Sequence, residues 1–331
     1  MRVAVFGAGA VGGYLAAQLL QSGAHEVAVV ARGAQAQAIG ARGITVRHGQ
    51  NAFTVRPHAL ATQARELPPQ DLVFVTTKGH DQPAAAADIA HLIGAHGAAV
   101  FMCNGIPWWW SHHGADRPGT SLPLLDPQAA LWTQVGPQRA LGCVVYSANE
   151  VVEPGVILHS GNNHWLLGEP DGRPSERLQR AVQALRVAGL QAEVPADLRT
   201  AVWTKLLRNV PLNTVCALTR LPVEGLAADA TLVALCHQLI DEVVAVAAAH
   251  GADLSAHVAT ARQAPERGGA VGAAQPLAPV RPSMLQDVLQ GRRLEIDAIV
   301  GQLQQLARDV GVATPTVDVL LPLLRGLQLS L

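Results

Sequence analysis

Residues 2–20 constrain this chain more than any other stretch. RVAVFG (Arg2–Gly7) has the composition of a short buried strand, Gly7-Ala8-Gly9-Ala10-Val11-Gly12 follows at once, and an apolar-periodic helix runs from Tyr14 to Leu20. A strand that feeds GxGxxG into a helix opens a Rossmann-type βαβ unit. Its glycines permit the tight turn, the approach of backbone to a pyrophosphate and the packing of helix on strand, and the helix N-terminus turns free N–H groups toward the phosphates. Gly7, Gly9, Ala10, Val11 and Gly12 are therefore the candidate cofactor-binding residues. The second strand, Glu26–Ala31, ends at Arg32, twenty residues after Gly12. An NAD-specific fold places an acid there to take the ribose hydroxyls, whereas an arginine suits a 2′-phosphate, so NADP(H) is the expected cofactor.

The rest of the first half extends this sheet. Ile44–Val55 alternates as a hairpin with its turn at His48-Gly49-Gln50-Asn51. Asp71–Thr77 (DLVFVTT) and Ala98–Cys103 read as buried strands, and each delivers a polar residue, Lys78 and Asn104, at the carboxyl end where open α/β sheets bind ligands. Ile106–Gln138 carries Trp108-Trp109-Trp110 with several Pro and Gly, and a loop of that length suggests a lid or an intersubunit patch beside the cofactor. Leu141–Ser147, Gly155–His159 and Trp165–Leu167 read as three strands joined by turns at Glu153-Pro154-Gly155 and Gly161-Asn162-Asn163. A helix over Ser175–Ala188 and a strand near Ala192–Val194 close the domain.

Strand signals stop at Asp197, which predicts an N-terminal Rossmann-like α/β domain over 1–195 and an all-helical domain over 196–331. Glu266–Pro279 is expected to be a loop, and Ser283, after Pro282, an N-cap of a helical region that continues through Gly291–Asp297. Within the helical half, WTKLLRNVPLN (Trp203–Asn213) sets Lys205, Asn209 and Asn213 at i, i+4 and i+8, so they form one slanting polar row. The intervening apolar residues pack the other faces, and the row is long enough to line a small-molecule cleft. Pro211 predicts a kink. Of 24 Lys+Arg residues, only Lys78 and Lys205 are lysines. Where a chain that prefers arginine keeps a lysine, the compact charge and the movable pKa of an amine are the physical reasons to look for.

Composition narrows the function. At 331 residues the chain has room for two cores, and a net charge of −1 without an aromatic-interleaved arginine cluster argues against nucleic acid. The apolar run Leu232–Ala249 is broken by His237, Asp241 and Glu242, so no membrane span is expected. A first strand at Arg2 leaves no room for a leader, and a cytoplasmic location is expected. The four cysteines are scattered without CxxC, there is no HExxH, and the His112-His113 doublet is a weak ligand pair, so no metal is expected. The two tyrosines, Tyr14 and Tyr146, lack a lysine four residues on, which excludes a short-chain dehydrogenase YxxxK site. The apolar helices of the second half suggest a homodimer.

Taken together, Gly7–Gly12, Lys78 after DLVFVTT, Asn104-Gly105, Glu153-Pro154-Gly155, the Lys205/Asn209/Asn213 row and Ser283-Met284-Leu285-Gln286-Asp287 running to Glu295-Ile296-Asp297 resemble the ketopantoate reductase (2-dehydropantoate 2-reductase) family over nearly the whole length. The resemblance implies Lys205 as general acid, Asn209 and Asn213 as substrate contacts, and Ser283 as a holder of the substrate carboxylate. It further implies Glu295 at the nicotinamide ribose, where it helps orient the catalytic centre, and Lys78 and Asn104 between cofactor and substrate. The chain departs from the family pattern at Cys103 before Asn104-Gly105, at Thr214 after Asn213, and at Val223 and Val280, where asparagines are common. Those valines predict a less polar pocket. The expected activity is NADPH-dependent reduction of a 2-oxo acid, with ketopantoate to pantoate as the leading reaction. The alternatives are the same chemistry on a less polar 2-oxo acid, or a non-catalytic NADP(H) sensor.

Overall fold

A computed structural model describes residues 1–268 and 279–331. The chain divides into two compact units, one of Met1–Cys103 with Pro107–Leu198, the other of Asn104–Ile106 with Arg199–Leu331. The division falls after Leu198, and three residues of the first half, Asn104–Ile106, belong to the helical unit.

The first unit is α/β. Its strands are β1 (Arg2–Phe6), β2 (Glu26–Val30), β3 (Ile44–His48), β4 (Asn51–Val55), β5 (Ala59–Ala61), β6 (Leu72–Val75), β7 (Ala98–Phe101), β8 (Ala140–Glu153), β9 (Val156–Gly168) and β10 (Gln191–Glu193). Its helices are α1 (Ala10–Ser22), α2 (Gly33–Arg42), α3 (Ala86–Ile93) and α4 (Glu176–Val187). One ten-stranded sheet runs β4-β3-β9-β8-β7-β6-β1-β2-β5, with β10 beside β9. From β5 to β8 every pairing is parallel, which is the strand order of a doubly wound dinucleotide fold. The parallel strands β1, β6 and β7 read as unbroken apolar runs because helices cover both faces, and all but Arg2 of them is buried.

Two expectations change here. The turn expected at Gly161-Asn162-Asn163 is a bulge inside a single long strand, β9. Gly161 and Asn162 take positive φ (145° and 56°), and the β8–β9 register shifts at Tyr146–Asn149 opposite them. Residues that favour left-handed backbone signal a turn in sequence, but here they absorb two extra residues of β9 without leaving the ladder. The tryptophan-rich segment is neither a lid nor a surface patch. Trp108, Trp109 and Trp110 are buried, Trp108 meets Phe101 and Trp132 edge-on, and the buried Asp126 carboxylate accepts from the N–H groups of Leu131 and Trp132. Three indoles offer too much apolar area to leave in water, so they build core.

The second unit is helical: α5 (Leu198–Thr219, whose first residue belongs to the first unit), α6 (Val223–Ala227), α7 (Ala230–Ala249), α8 (Ser255–Glu266), α9 (Ser283–Leu289), α10 (Gln302–Asp309) and α11 (Pro315–Leu329). Helix α5 runs unbroken through Pro211, which has no N–H to give the carbonyl of Leu207. Helix α7 has the length and hydropathy of a membrane span, yet its charges are committed within the unit. The Glu242 carboxylate accepts from Thr316 N (2.7 Å) and Val317 N (3.0 Å), which caps α11, and Asp241 pairs with Arg262. That is how a core helix uses acids. The expected loop at Glu266–Pro279 lies largely outside the described residues, with Glu266 ending α8. Ser283 is not an N-cap: it is the first residue of α9 and Pro282 holds the cap position. Nor does that helix continue through Gly291–Asp297, since Gly291 at φ +61° ends it and the next helical residue is Ile296.

In the first unit, His159 is buried, stacked on Tyr14 at 4.3 Å and bonded through Nδ1 to Asn149 Oδ1 at 2.9 Å. Burial first, and the nearby His48 second, push its pKa down from 6.5 to about 4. A depressed histidine favours the fold while neutral, so its contribution is complete above pH 6.5 and is lost as pH falls toward 4. Thermal unfolding followed across that interval should show a smaller acid-induced drop in Tm for His159→Gln than for the unmodified chain. An identical drop would remove His159 from the account.

Candidate functional site

In the first unit, the loops at the carboxyl ends of β1 and β6 form a cradle that could hold a phosphate. These adjacent parallel strands flank the point where strand order reverses, and the loops after them open a crevice. The chain leaves β1 through Gly7, whose φ of +105° excludes a side chain in comfort, and Gly7 N donates to Val30 O at 2.9 Å. Thr76 pins the turn from the β6 side: its N donates to Phe6 O at 3.0 Å and its Oγ1 to Gly7 O at 2.7 Å. Helix α1 then packs so closely that a Cβ at Gly12 would collide with the Gly7 carbonyl oxygen and Thr76 Oγ1. At Gly9 the reverse holds, for a Cβ there would meet no atom within 4 Å. Open space over Gly9, with no side chain capping the N-terminus of α1, is where a pyrophosphate fits against the N–H groups of Ala10, Val11 and Gly12.

Arg32 stands exposed just beyond β2, in extended backbone at the N-cap of α2, and its side chain makes no hydrogen bond or ion pair among the described residues. A cation left available at that strand end suits a second phosphate. Lys78 lies three residues beyond β6, half-buried and extended, at the start of a short 3₁₀ turn over Gly79–Asp81.

The second unit gathers a separate constellation. Lys205 Nζ donates to Asn104 Oδ1 at 2.7 Å, and Asn104 Nδ2 donates to Glu295 Oε2 at 3.4 Å. An ammonium can only donate and a carboxylate only accept, so the orientation of the Asn104 amide follows from its neighbours. Asn104 is held there by the two residues after it. Gly105 (φ +82°) passes under the Ala298 carbonyl so closely that a Cβ would collide with it, and Ile106 N donates to that same oxygen at 2.8 Å. Ala298 belongs to a π-helical turn, Asp297–Gly301, which begins two residues after Glu295. Clamp and carboxylate therefore lie three residues apart on one stretch of chain.

Along α5 the polar row divides. The half-buried Asn209 side chain has no hydrogen-bond partner among the described residues. Asn213 is buried, and its amide is bonded at both ends: Oδ1 accepts from Ser283 Oγ (3.2 Å) and Met284 N (3.0 Å), while Nδ2 donates to Asn209 O (3.0 Å). Asn213 thus supplies from another helix the cap that α9 lacks locally. Ser283 is exposed at the start of α9. Val223 and Val280 are side by side, with Val223 N on Val280 O at 3.0 Å and Val223 buried. No group of three or more His, Cys, Asp or Glu suited to a metal occurs among the described residues, and none of the four cysteines is in a disulfide. Thr76 and Ala298 were not anticipated. Thr76 is visible in sequence only as the polar end of an apolar strand, and Ala298 acts through a backbone carbonyl that leaves no mark in sequence.

Comparison with known proteins agrees with both halves. Residues 3–172 match the family model for ketopantoate reductase PanE/ApbA, and residues 197–328 match the model for its C-terminal domain. A 2-dehydropantoate 2-reductase of Mesorhizobium japonicum is 39% identical over 332 aligned positions, covering 100% of this chain and 98% of its own. A candidate ketopantoate reductase structure from Ralstonia solanacearum MolK2 superposes with a TM-score of 0.89 at 32% identity, covering 99% and 98%. A 2-dehydropantoate 2-reductase structure from Geobacter metallireducens GS-15 gives 0.83 at 28%, covering 98% and 99%.

The two glycines of the cradle should separate on substitution. Gly12→Ala should lower Tm and yield of folded protein, since backbone must move. Gly9→Ala should leave Tm unchanged and weaken dinucleotide binding about tenfold or more, measured by fluorescence titration, because about 1.4 kcal/mol of lost phosphate contact is enough. Unchanged affinity in Gly9→Ala would place the phosphates elsewhere.

Proposed function

The chain belongs to the ketopantoate reductase PanE/ApbA family of dinucleotide-dependent oxidoreductases acting on CH–OH groups, and from that premise we propose that it reduces 2-dehydropantoate to pantoate with NADPH. The observation that carries the reading is the Lys205–Asn104–Glu295 relay at 2.7 and 3.4 Å. Bound NADPH supplies the hydride to the keto carbon. What the protein must add is stabilisation of charge on the carbonyl oxygen and a proton for the resulting alkoxide.

Lys205 does both as an ammonium: it polarises the oxygen and then gives up its proton. Asn104 orients it by accepting from one of its N–H groups. Glu295 fixes the amide in turn. Asn209, with its amide open, contacts the substrate one turn along α5. Ser283 binds the substrate carboxylate by turning its hydroxyl proton away from Asn213, while Asn213 keeps α9 in place through Met284 N and is the positioning member of the row. Gly7, Gly9, Ala10, Val11 and Gly12 hold the pyrophosphate, Arg32 the 2′-phosphate that distinguishes NADP(H) from NAD(H), and Lys78 contributes charge at the carboxyl edge of the sheet. A homodimer through the helical unit belongs to this reading, on the exposed Val319 and Leu323 four residues apart on α11.

A second reading rests on the sequence: Val223 and Val280 stand where the family commonly has asparagines, which suits a 2-oxo acid with a less polar side chain. Following NADPH absorbance against a panel of 2-oxo acids separates the readings: turnover of ketopantoate supports the first, turnover only of apolar 2-oxo acids the second, and binding without turnover of any sinks both. Lys205→Ala should lower kcat by about 10²–10⁴ while NADPH still binds, the range expected for loss of a general acid. Arg32→Asp should raise the KM for NADPH and lower that for NADH; an unchanged cofactor ratio would refute the role of Arg32.

A further inference from the structure

The first unit contains a cleft of about 620 Å³ outside the phosphate cradle, within the range of small-molecule sites. Its walls include Tyr14 and Gln18 of α1, His48 and Asn51 of the β3–β4 hairpin, and His159 and Asn162 of β9. We propose that this cleft binds an uncharged nucleobase with an exocyclic amine, through two imidazole acceptors, His48 and His159, set beside the free amides of Asn51 and Asn162.

Charge comes first. None of the lining residues is Asp, Glu, Lys or Arg, and the carboxylate beside the cleft, Glu193, is already paired with the lining His164, so an uncharged guest is favoured over an ion. The tautomers decide what the ligand must offer. His48 Nδ1 lies 3.0 Å from the His159 carbonyl oxygen, which can only accept, so Nδ1 carries the proton and Nε2 is a lone-pair acceptor. Asn149 Nδ2 is committed to Ser147, so its Oδ1 accepts from His159 Nδ1 at 2.9 Å and His159 Nε2 is likewise an acceptor. The low pKa of His159 keeps it in that form at neutral pH. Two such acceptors call for N–H donors. The side-chain amides of Asn51 and Asn162 make no hydrogen bond among the described residues and match the ring nitrogens of the same base. Tyr14 and His159 stack at 4.3 Å and 15°, and His48 lies 5.0 Å from His159, a wall of rings suited to a flat aromatic guest.

The backbone supports a built site. Asn162 holds a left-handed conformation (φ 56°) beside Gly161 (φ 145°), in the bulge that breaks the β8–β9 register. Such strain in a non-glycine residue persists where it re-aims a side chain, and the bulge turns this segment of β9 into the cleft wall.

The test is calorimetric titration of adenosine and of inosine, which carries a carbonyl where adenosine has its amine, into protein saturated with NADP⁺ at neutral pH. Adenosine should bind at about millimolar or better, with inosine at least about tenfold weaker. His48→Phe, which keeps a ring at an exposed hairpin position but removes the lone pair, should weaken adenosine about tenfold and leave 2-oxo acid reduction unchanged. Absence of adenosine binding, equal binding of inosine, an unaffected His48→Phe variant, or displacement of adenosine by NADP⁺ would each overturn the proposal. None of these results bears on the reductase reading, which stands or falls on turnover.

Discussion

A single carboxamide, that of Asn104, bonds both the Lys205 ammonium and the Glu295 carboxylate. The lysine gains direction from a neutral acceptor, and the carboxylate orients that acceptor. This arrangement depends on where the Asn104 backbone can go. Gly105 is required because no side chain fits beneath the Ala298 carbonyl, and Ile106 N ties off that same oxygen. Three residues leaving β7 are thereby part of the helical unit, and the segment that ends a sheet strand supplies the polar group that the helix α5 lysine needs.

Helix α5 carries two kinds of asparagine. Asn209 has an open amide; Asn213, four residues on, is buried and joined to Ser283, Met284 and the Asn209 carbonyl. A buried amide with its oxygen and one N–H bonded is stabilising, whereas the same amide left unpaired would cost on the order of 1–3 kcal/mol, so Asn213 is as much a structural tie as a polar residue of the row. Its effect on chemistry passes through α9: by replacing a local N-cap it sets where Ser283 begins the helix.

The fold was legible because its strongest signals are local. GxGxxG, the apolar strands and the i, i+4, i+8 row each depend on nearest neighbours in sequence, and β1, β2, the β3–β4 hairpin and α7 fall close to where periodicity put them. What escaped was long-range. Nothing near Gly161 says whether a left-handed residue makes a turn or a bulge, since the partner strand decides that, and nothing in three consecutive tryptophans says which side of a sheet they will fill. Short α2, α3 and β5 lacked a clear period. At the site, the residue types were legible and their division of labour was not, because Asn209 and Asn213 differ only in what α9 brings to them.

The chain's preference for arginine gives the last step. Arginine would bring a planar fork of five donors and a charge it cannot surrender, and of the Asn104 amide only Oδ1 could accept from it. An ammonium has one centre. It can bond the single Oδ1 of Asn104 and, in the role proposed for it, part with a proton when an alkoxide forms. At position 32 the requirements invert: a phosphate offers several oxygens to a flat fork and no proton need move. On the proposed roles the two positions take different cations because one would bind and the other would react.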